Sequence, residues 1–191
     1  MTDTMTTTRY RLSIVHDEMS ERPDEYAIGR MVSFNTRHGS YMHPDEINES
    51  DILATLSYFE HGLCRWMVGA STVPDYGGFD TVECAGVILW NRESDSREWW
   101  NGRTDDERAT TLNAIAEEYT AWCNGEVFGY SLTELDSCGE CGYTDTGTEL
   151  DSCYGFVGSD YMRDHLTATL RDLDISLDDV EVTGGAAYVL G

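Results

Sequence analysis

The sequence predicts an α+β fold, a mostly antiparallel sheet with two main helices, about 104–123 and 160–173, packed on one face. Three observations lead there. Short alternating or continuous apolar runs recur along the chain, divided by Gly, Pro, Asp and Asn, which is the pattern of strands joined by turns. Two longer segments carry apolar residues at helical spacing behind N-capping side chains. Both fall late, after a series of strands, an order that suits an antiparallel sheet with its helices on one side.

The elements follow in order. Residues 1–8 are polar and Thr-rich and read as a flexible tail, leaving 9–191 as a single domain. Tyr10–His16 (YRLSIVH) alternates as a strand, and Asp17–Asp24 is a charged loop broken by Pro23. Ala27–Phe34 reads as a second strand with a bulge at Gly29, and Asn35–Ser50 as a loop. Ile52–Glu60 (ILATLSYFE) fits helix or strand, because a short apolar run serves either. Leu63–Ala70 and Ala85–Trp90 are strands around the turn-rich Pro74–Asp80.

Thr104 and Glu107 are spaced as a capping box. Leu112, Ile115, Tyr119 and Trp122 recur behind them, and Asn124-Gly125 ends the run, so a helix is expected over 104–123. Beyond it lie a strand at Glu126–Leu132, a turn region at Asp136–Thr148 and a strand at Leu150–Val157. Ser159 or Asp160 can cap a second helix reaching about Leu173, with Tyr161, His165, Leu166, Leu170 and Leu173 on one face. Val180–Val182 and Ala187–Leu190 read as short closing strands. The tetrapeptide LDSC occurs at Leu135–Cys138 and Leu150–Cys153, which places its copies on the two arms of one hairpin.

Charge is the strongest compositional signal. Thirty-six Asp and Glu oppose twelve basic residues for a net charge of −24, and all twelve are Arg. In molar salt the Debye length falls to about 3 Å, so acidic surfaces barely repel themselves. Carboxylates hold water and hydrated cations there, whereas Lys stems add apolar surface that salt drives toward aggregation. One mechanism, halophilic adaptation, accounts for both the acid excess and the absence of lysine. A GC-rich genome favours Arg without requiring the acid excess. Mimicry of nucleic acid would draw on long-range attraction that the same salt collapses.

Other classes are disfavoured. Hydrophobic residues make up 40% of the chain, which argues against disorder. No apolar run approaches the roughly 18–20 residues of a membrane span. Arginines diluted among acids leave no basic stripe for direct nucleic-acid binding. The N-terminus lacks the pattern of a secretion signal, so the cytoplasm of a host cell is the expected location.

Cysteine carries the first candidate site. Cys138-Gly139-Glu140-Cys141 is a C-x-x-C, and Cys153 follows on the return strand. Two thiolates from such a turn and a third from the facing arm could hold zinc at about 2.3 Å, with Cys123 a candidate fourth ligand. The alternatives are buried structural cysteines and, with less support from the Gly-rich surroundings, a redox C-x-x-C. His38, His43 and Asp45 could furnish an open metal site, and His61 with Cys64 a Cys–His pair. Solvated loop histidines and a polar strand end are the competing readings. No nucleophile elbow, Walker loop, dinucleotide fingerprint or zincin motif is present, so the sequence offers no positive sign of an enzyme. Trp99-Trp100, flanked by Arg97 and Arg103, is a candidate partner-binding pair, or a cap on the core.

Several segments together resemble a family. Gly29, Met31, Val32 and Phe34 follow a G-x-M-V-x-F pattern, with Arg37 in the loop beyond. Tyr58–Gly62 follows Y-x-H-G with one extra residue, and Asp80-Thr81 stands before the strand Gly86-Val87-Ile88. Asn124–Tyr130 follows N-G-x-V-x-G-Y, and Asp151–Phe156 follows D-S-C-W-G-F with Tyr154 for Trp. In this order the motifs resemble an uncharacterised family of small proteins common in tailed phages and related mobile elements, here in a haloarchaeal virus- or provirus-like version. Phe79 stands where that family has Trp, and Thr81 where it has Ser. The resemblance implies a viral or proviral accessory gene. It also implies a motif cluster of His61, Asp80, Asp151, Cys153 and Tyr154, with Asp80, Asp151 and Cys153 close together on one sheet. The expected function is an accessory protein that binds a host protein, host defence being one candidate target. The alternatives are a metal-binding module or metal-dependent enzyme using Cys138, Cys141 and Cys153, and a virion component.

Overall fold

The computed structural model describes residues 8–25, 27–72, 80–92, 96–138 and 142–190, and not the side chains of 137, 138 and 143–146. The expected tail (beyond Thr8), the turn at 74–79, Cys141 and the Cys138 side chain therefore lie outside the described residues. The chain has an α+β fold. In order its elements are β1 (Tyr10–His16), β2 (Gly29–Ser33), β3 (Ile52–His61), β4 (Leu63–Val68), β5 (Thr81–Trp90), α1 (Arg97–Asn101), α2 (Asp105–Cys123), β6 (Val127–Cys138), β7 (Gly142–Val157), α3 (Ser159–Asp172) and β8 (Val180–Thr183). They form two compact units: residues 1–20 with 125–191, and residues 21–124.

The first unit takes both ends of the chain into a sheet of order β7-β6-β1-β8. Alternation along β1 sends Leu12 and Ile14 inward opposite Leu132 and Tyr130 of antiparallel β6. After α3 the chain returns as β8, which pairs parallel to β1, the one departure from antiparallel order among the described strands. The apolar face of α3 is Met162, Leu166 and Leu170, spaced four apart; Tyr161 and Leu173, expected on that face, are exposed. Its N-cap is Gly158 and no side chain caps it, so neither Ser159 nor Asp160 plays the expected role. Ala187–Leu190 is a 3-10 turn rather than a strand and buries Val189. The expected turn at 136–148 is largely ladder, with Leu135 opposite Gly147 and Cys138 opposite Gly142. Cross-strand pairing there outweighs the turn-like Gly, Ser and Thr composition. The two LDSC copies do lie on the two arms of this hairpin.

The second unit is a sheet of order β2-β5-β3-β4, antiparallel throughout. Ile52–Glu60, ambiguous in isolation, is strand because β5 and β4 pair with its two sides. No bulge occurs at Gly29: the β2–β5 register runs unbroken from Gly29–Trp90 to Ser33–Gly86. Glycine is there for closeness, since a Cβ would meet Ile88 Cγ2 at 2.5 Å. The register shifts lie in the β3–β5 pairing instead, where Cys84 adopts a φ of 52°.

Helix α2 covers β4 and part of β2, burying Leu112, Ile115, Ala116 and Tyr119. Its capping box is formed: Thr104 Oγ1 accepts from Glu107 N at 3.3 Å, and Thr104 N donates to Glu107 Oε2 at 2.8 Å. Thr104→Ala should therefore cost about 1 kcal/mol, measurable as a lower urea midpoint with an unchanged slope.

Candidate functional site

The site in residues 21–124 starts from a buried ion pair. Pro23–Glu25 turns as a short 3-10 helix, and the turn buries Asp24 to 2% exposure. Asp24 Oδ2 accepts from Met31 N at 2.6 Å and Arg22 Nη2 at 2.7 Å, while Oδ1 accepts from Arg22 Nε at 3.0 Å. Arg22 Nη2 also donates to Met31 O at 3.1 Å, tying the turn to β2. The guanidinium is then held over the Tyr119 ring, 5.4 Å from its centroid. Burial acts to lower the Arg22 pKa, but the hydrogen bond and charge of Asp24 outweigh it and leave the pKa raised.

Arg22 forms part of the wall of a cleft of about 400 Å³, within the range of small-ligand and side-chain pockets. The β3–β4 hairpin supplies a second wall. Its register sets Tyr58 opposite Trp66 and Glu60 opposite Cys64, so strand alternation puts all four on one face. His38 packs edge-on against Tyr58 and Trp66, with ring centroids 4.9 and 5.5 Å away. Its Nδ1 lies 2.8 Å from Ser33 Oγ, which fixes the ring. His38 also lines a neighbouring cavity of about 160 Å³ with Ser33, Tyr58 and Cys84.

The end of α2 closes the cleft. Trp66 N donates to Thr120 Oγ1 at 2.9 Å. Asn124 grips the Cys64 backbone on both sides, accepting from its N at 2.9 Å and donating to its O at 3.0 Å. Cys123 is exposed as a residue and lies with Cys64 and Tyr119 on the cleft wall.

These surroundings set protonation. The hydrogen bond to Cys64, with burial, pushes the Cys123 thiol well up. Burial raises Tyr119, and burial with the hydrogen bond to Glu60 raises Tyr58. Burial lowers His38. At neutral pH the wall therefore presents neutral phenols, a neutral Cys123 thiol and a neutral imidazole. The His38 shift has a stability consequence. Because folding depresses its pKa, the unfolded chain takes up the proton first, and the contribution is present above pH 6.5 and lost as pH falls below it. His38→Gln should flatten this part of the acid limb of a stability–pH profile and leave the slope above pH 7 as it was, on top of a pH-independent loss of the ring's contacts with Ser33, Tyr58 and Trp66.

The other expected sites are distributed differently. His43 Nδ1 accepts from Asp45 N at 3.3 Å and caps a 3-10 turn, a structural role apart from the cleft-lining His38. His61 pairs with Asp80 at 3.3 Å. It stands opposite Leu63 in the hairpin register, on the face of β3 opposite to Cys64, so the expected His61–Cys64 pair does not form. The expected sharing of one sheet by Asp80, Asp151 and Cys153 is not met. Asp80 leads into β5 in one sheet, and the other two are on β7 in the other. Asp151 instead accepts from Tyr130 Oη at 2.5 Å, and burial with this bond pushes Tyr130 up to about 12. Cys153 packs against the core of its unit, and Tyr154 is exposed.

Trp100 packs on Trp90, 6.4 Å between centroids, and is partly core. Trp99 is 44% exposed, with the Arg103 guanidinium 4.5 Å above its ring. Among the described residues no three His, Cys, Asp or Glu are grouped to hold a metal ion; Cys141 and the Cys138 side chain lie outside them. No described helix is long and apolar enough to cross a membrane. Of the cleft residues, the sequence singled out His38, Cys64 and Cys123 as candidate ligands or reactive groups, Tyr119 and Trp122 as a helical repeat with Asn124 as its stop, and Tyr58 to Gly62 as a family motif. Tyr58, Glu60, Cys64 and Trp66 were findable as one set only once 52–68 was known to be a hairpin.

Comparison with known protein families, curated proteins and solved structures finds no match to the chain.

Proposed function

We propose that the protein is a non-catalytic accessory protein of a haloarchaeal virus or provirus that binds a host protein, and that the cleft in residues 21–124 receives an apolar or aromatic side chain of that partner. The acid excess and the lack of lysine support the halophilic part, and the motif resemblance supports the viral part. One observation carries the binding reading. The cleft is lined mainly by aromatic rings and thiols, with Glu60 its one carboxylate among the described residues, and its cation, Arg22, is already paired with Asp24. A nucleophilic site needs an activated group with a base beside it; Cys123 is pushed the other way. Shape and apolar contact are what such a wall offers, and both survive in salt that screens charge.

Gly39 gives the means to test this. It lines the cleft, and an added Cβ there meets nothing within 4 Å. Gly39→Trp should fill the mouth while leaving the fold intact. In capture from haloarchaeal host lysate in molar KCl, the wild-type chain should retain a stoichiometric protein that Gly39→Trp does not. Equal capture by both chains would exclude the cleft as the contact.

A further inference from the structure

The binding reading leaves one feature of the cleft wall unused, the meeting of two thiols. Cys64 is on β4 and Cys123 ends α2, far apart in sequence, and both line the wall of the one cleft. Neither is disulfide-bonded in the structure. The backbone around them is pinned on both sides. Asn124, next to Cys123, holds the N and O of Cys64, and Thr120, one turn earlier in α2, holds the N of Trp66. Two thiols brought to one cleft wall by a fixed frame need little movement to form a bond, and both line the cleft, Cys64 partly exposed and Cys123 exposed, so a small reagent can approach either.

We propose that Cys64 and Cys123 are a reversible redox site, oxidised to an intramolecular disulfide by a low-molecular-weight disulfide. The Cys64 thiolate attacks one sulfur of the reagent, breaking its S–S bond and releasing one small thiolate. The Cys123 thiol then gives its proton to solvent as its sulfur attacks the mixed disulfide at Cys64 and expels the second small thiolate. Two protein thiols become one disulfide and the reagent is reduced to two thiols. Cys123, which the hydrogen bond and burial keep protonated, suits the second step better than the first. The bond joins β4 to the end of α2 across the cleft wall, whatever occupies the cleft.

The sequence makes the test direct. Cleavage after Arg and Glu releases Cys64 in His61–Arg65 and Cys123 in Tyr119–Glu126, each as the sole cysteine of its peptide. The full chain is treated with oxidised glutathione in molar KCl, alkylated, and digested without reductant by trypsin and Glu-C. The expected result is that these two peptides are recovered joined, and separated again by dithiothreitol. Recovery of the two apart, alkylated or each carrying glutathione, overturns the proposal, as does linkage of either to another cysteine. In Cys123→Ser the first step should stop at a Cys64–glutathione adduct; unmodified Cys64 in the folded variant would overturn the order of attack. The wild-type map decides the pairing even if that variant does not fold.

Discussion

Asp24→Ala is expected to destabilise the 21–124 unit by about 3–5 kcal/mol, a large share of the 5–15 kcal/mol that ordinarily separates folded from unfolded domains. The size follows from what the carboxylate satisfies. It is the partner of a half-buried guanidinium and the acceptor for the Met31 amide in β2. Removing it leaves a charge without its counter-ion and a buried N–H without an acceptor, which costs far more than the pair contributes net. All five tryptophans lie within 21–124, so the fluorescence unfolding curve reports this unit. Urea unfolding in constant molar KCl should show the loss. The double variant Arg22→Met/Asp24→Ala should recover part of it, because the stranded cation is gone. A cost below about 1 kcal/mol for the single variant would mean that the pair is not buried as described.

Gly86→Ala is the second large effect, expected at about 3 kcal/mol or more. A Cβ there would fall 2.1 Å from Val32 O and 3.1 Å from Val32 C, both backbone atoms of the paired strand β2. Overpacking against side chains typically costs about 1–3 kcal/mol because rotamers can shift. A backbone carbonyl in a ladder can move only by opening the ladder. Gly39→Ala is the matched control, with nothing within 4 Å of its new Cβ, and should change stability by less than about 0.5 kcal/mol. The same tryptophan signal measures both. Similar costs for the two variants would contradict the close approach of β2 and β5.

These effects show which parts of the molecule local sequence can reveal. Helix α2 was legible because its determinants lie within it: a capping box at Thr104 and Glu107, a repeat from Leu112 to Trp122, and a stop at Asn124-Gly125. Strand β1 was legible from alternation alone. Ile52–Glu60 was not, because its identity depends on the neighbours that pair with it. The assignment of Ala187–Leu190 to a strand failed for a related reason: four apolar residues without a partner strand closed into a turn that buries Val189. The joining of residues 1–20 with 125–191 is set by β1 pairing to β6 and β8, which a reading along the chain does not register. The cleft was hardest to foresee. Its walls come from Arg22, His38, the 58–66 hairpin and the end of α2, and only tertiary packing brings them together. The charged loop Asp17–Asp24 gave no sign in the sequence that its last residue, just after Pro23, is a buried aspartate.

The central claim is that the cleft is where a partner enters. Hydrogen exchange of the captured complex against the isolated chain, in molar KCl, tests it most directly. The account predicts slowed exchange in the segments around His38, 58–66 and 119–124, with exchange around Trp99 and on β7 unchanged. Slowing confined to α1 or to the 125–191 segment, with the cleft segments unaffected, would contradict it.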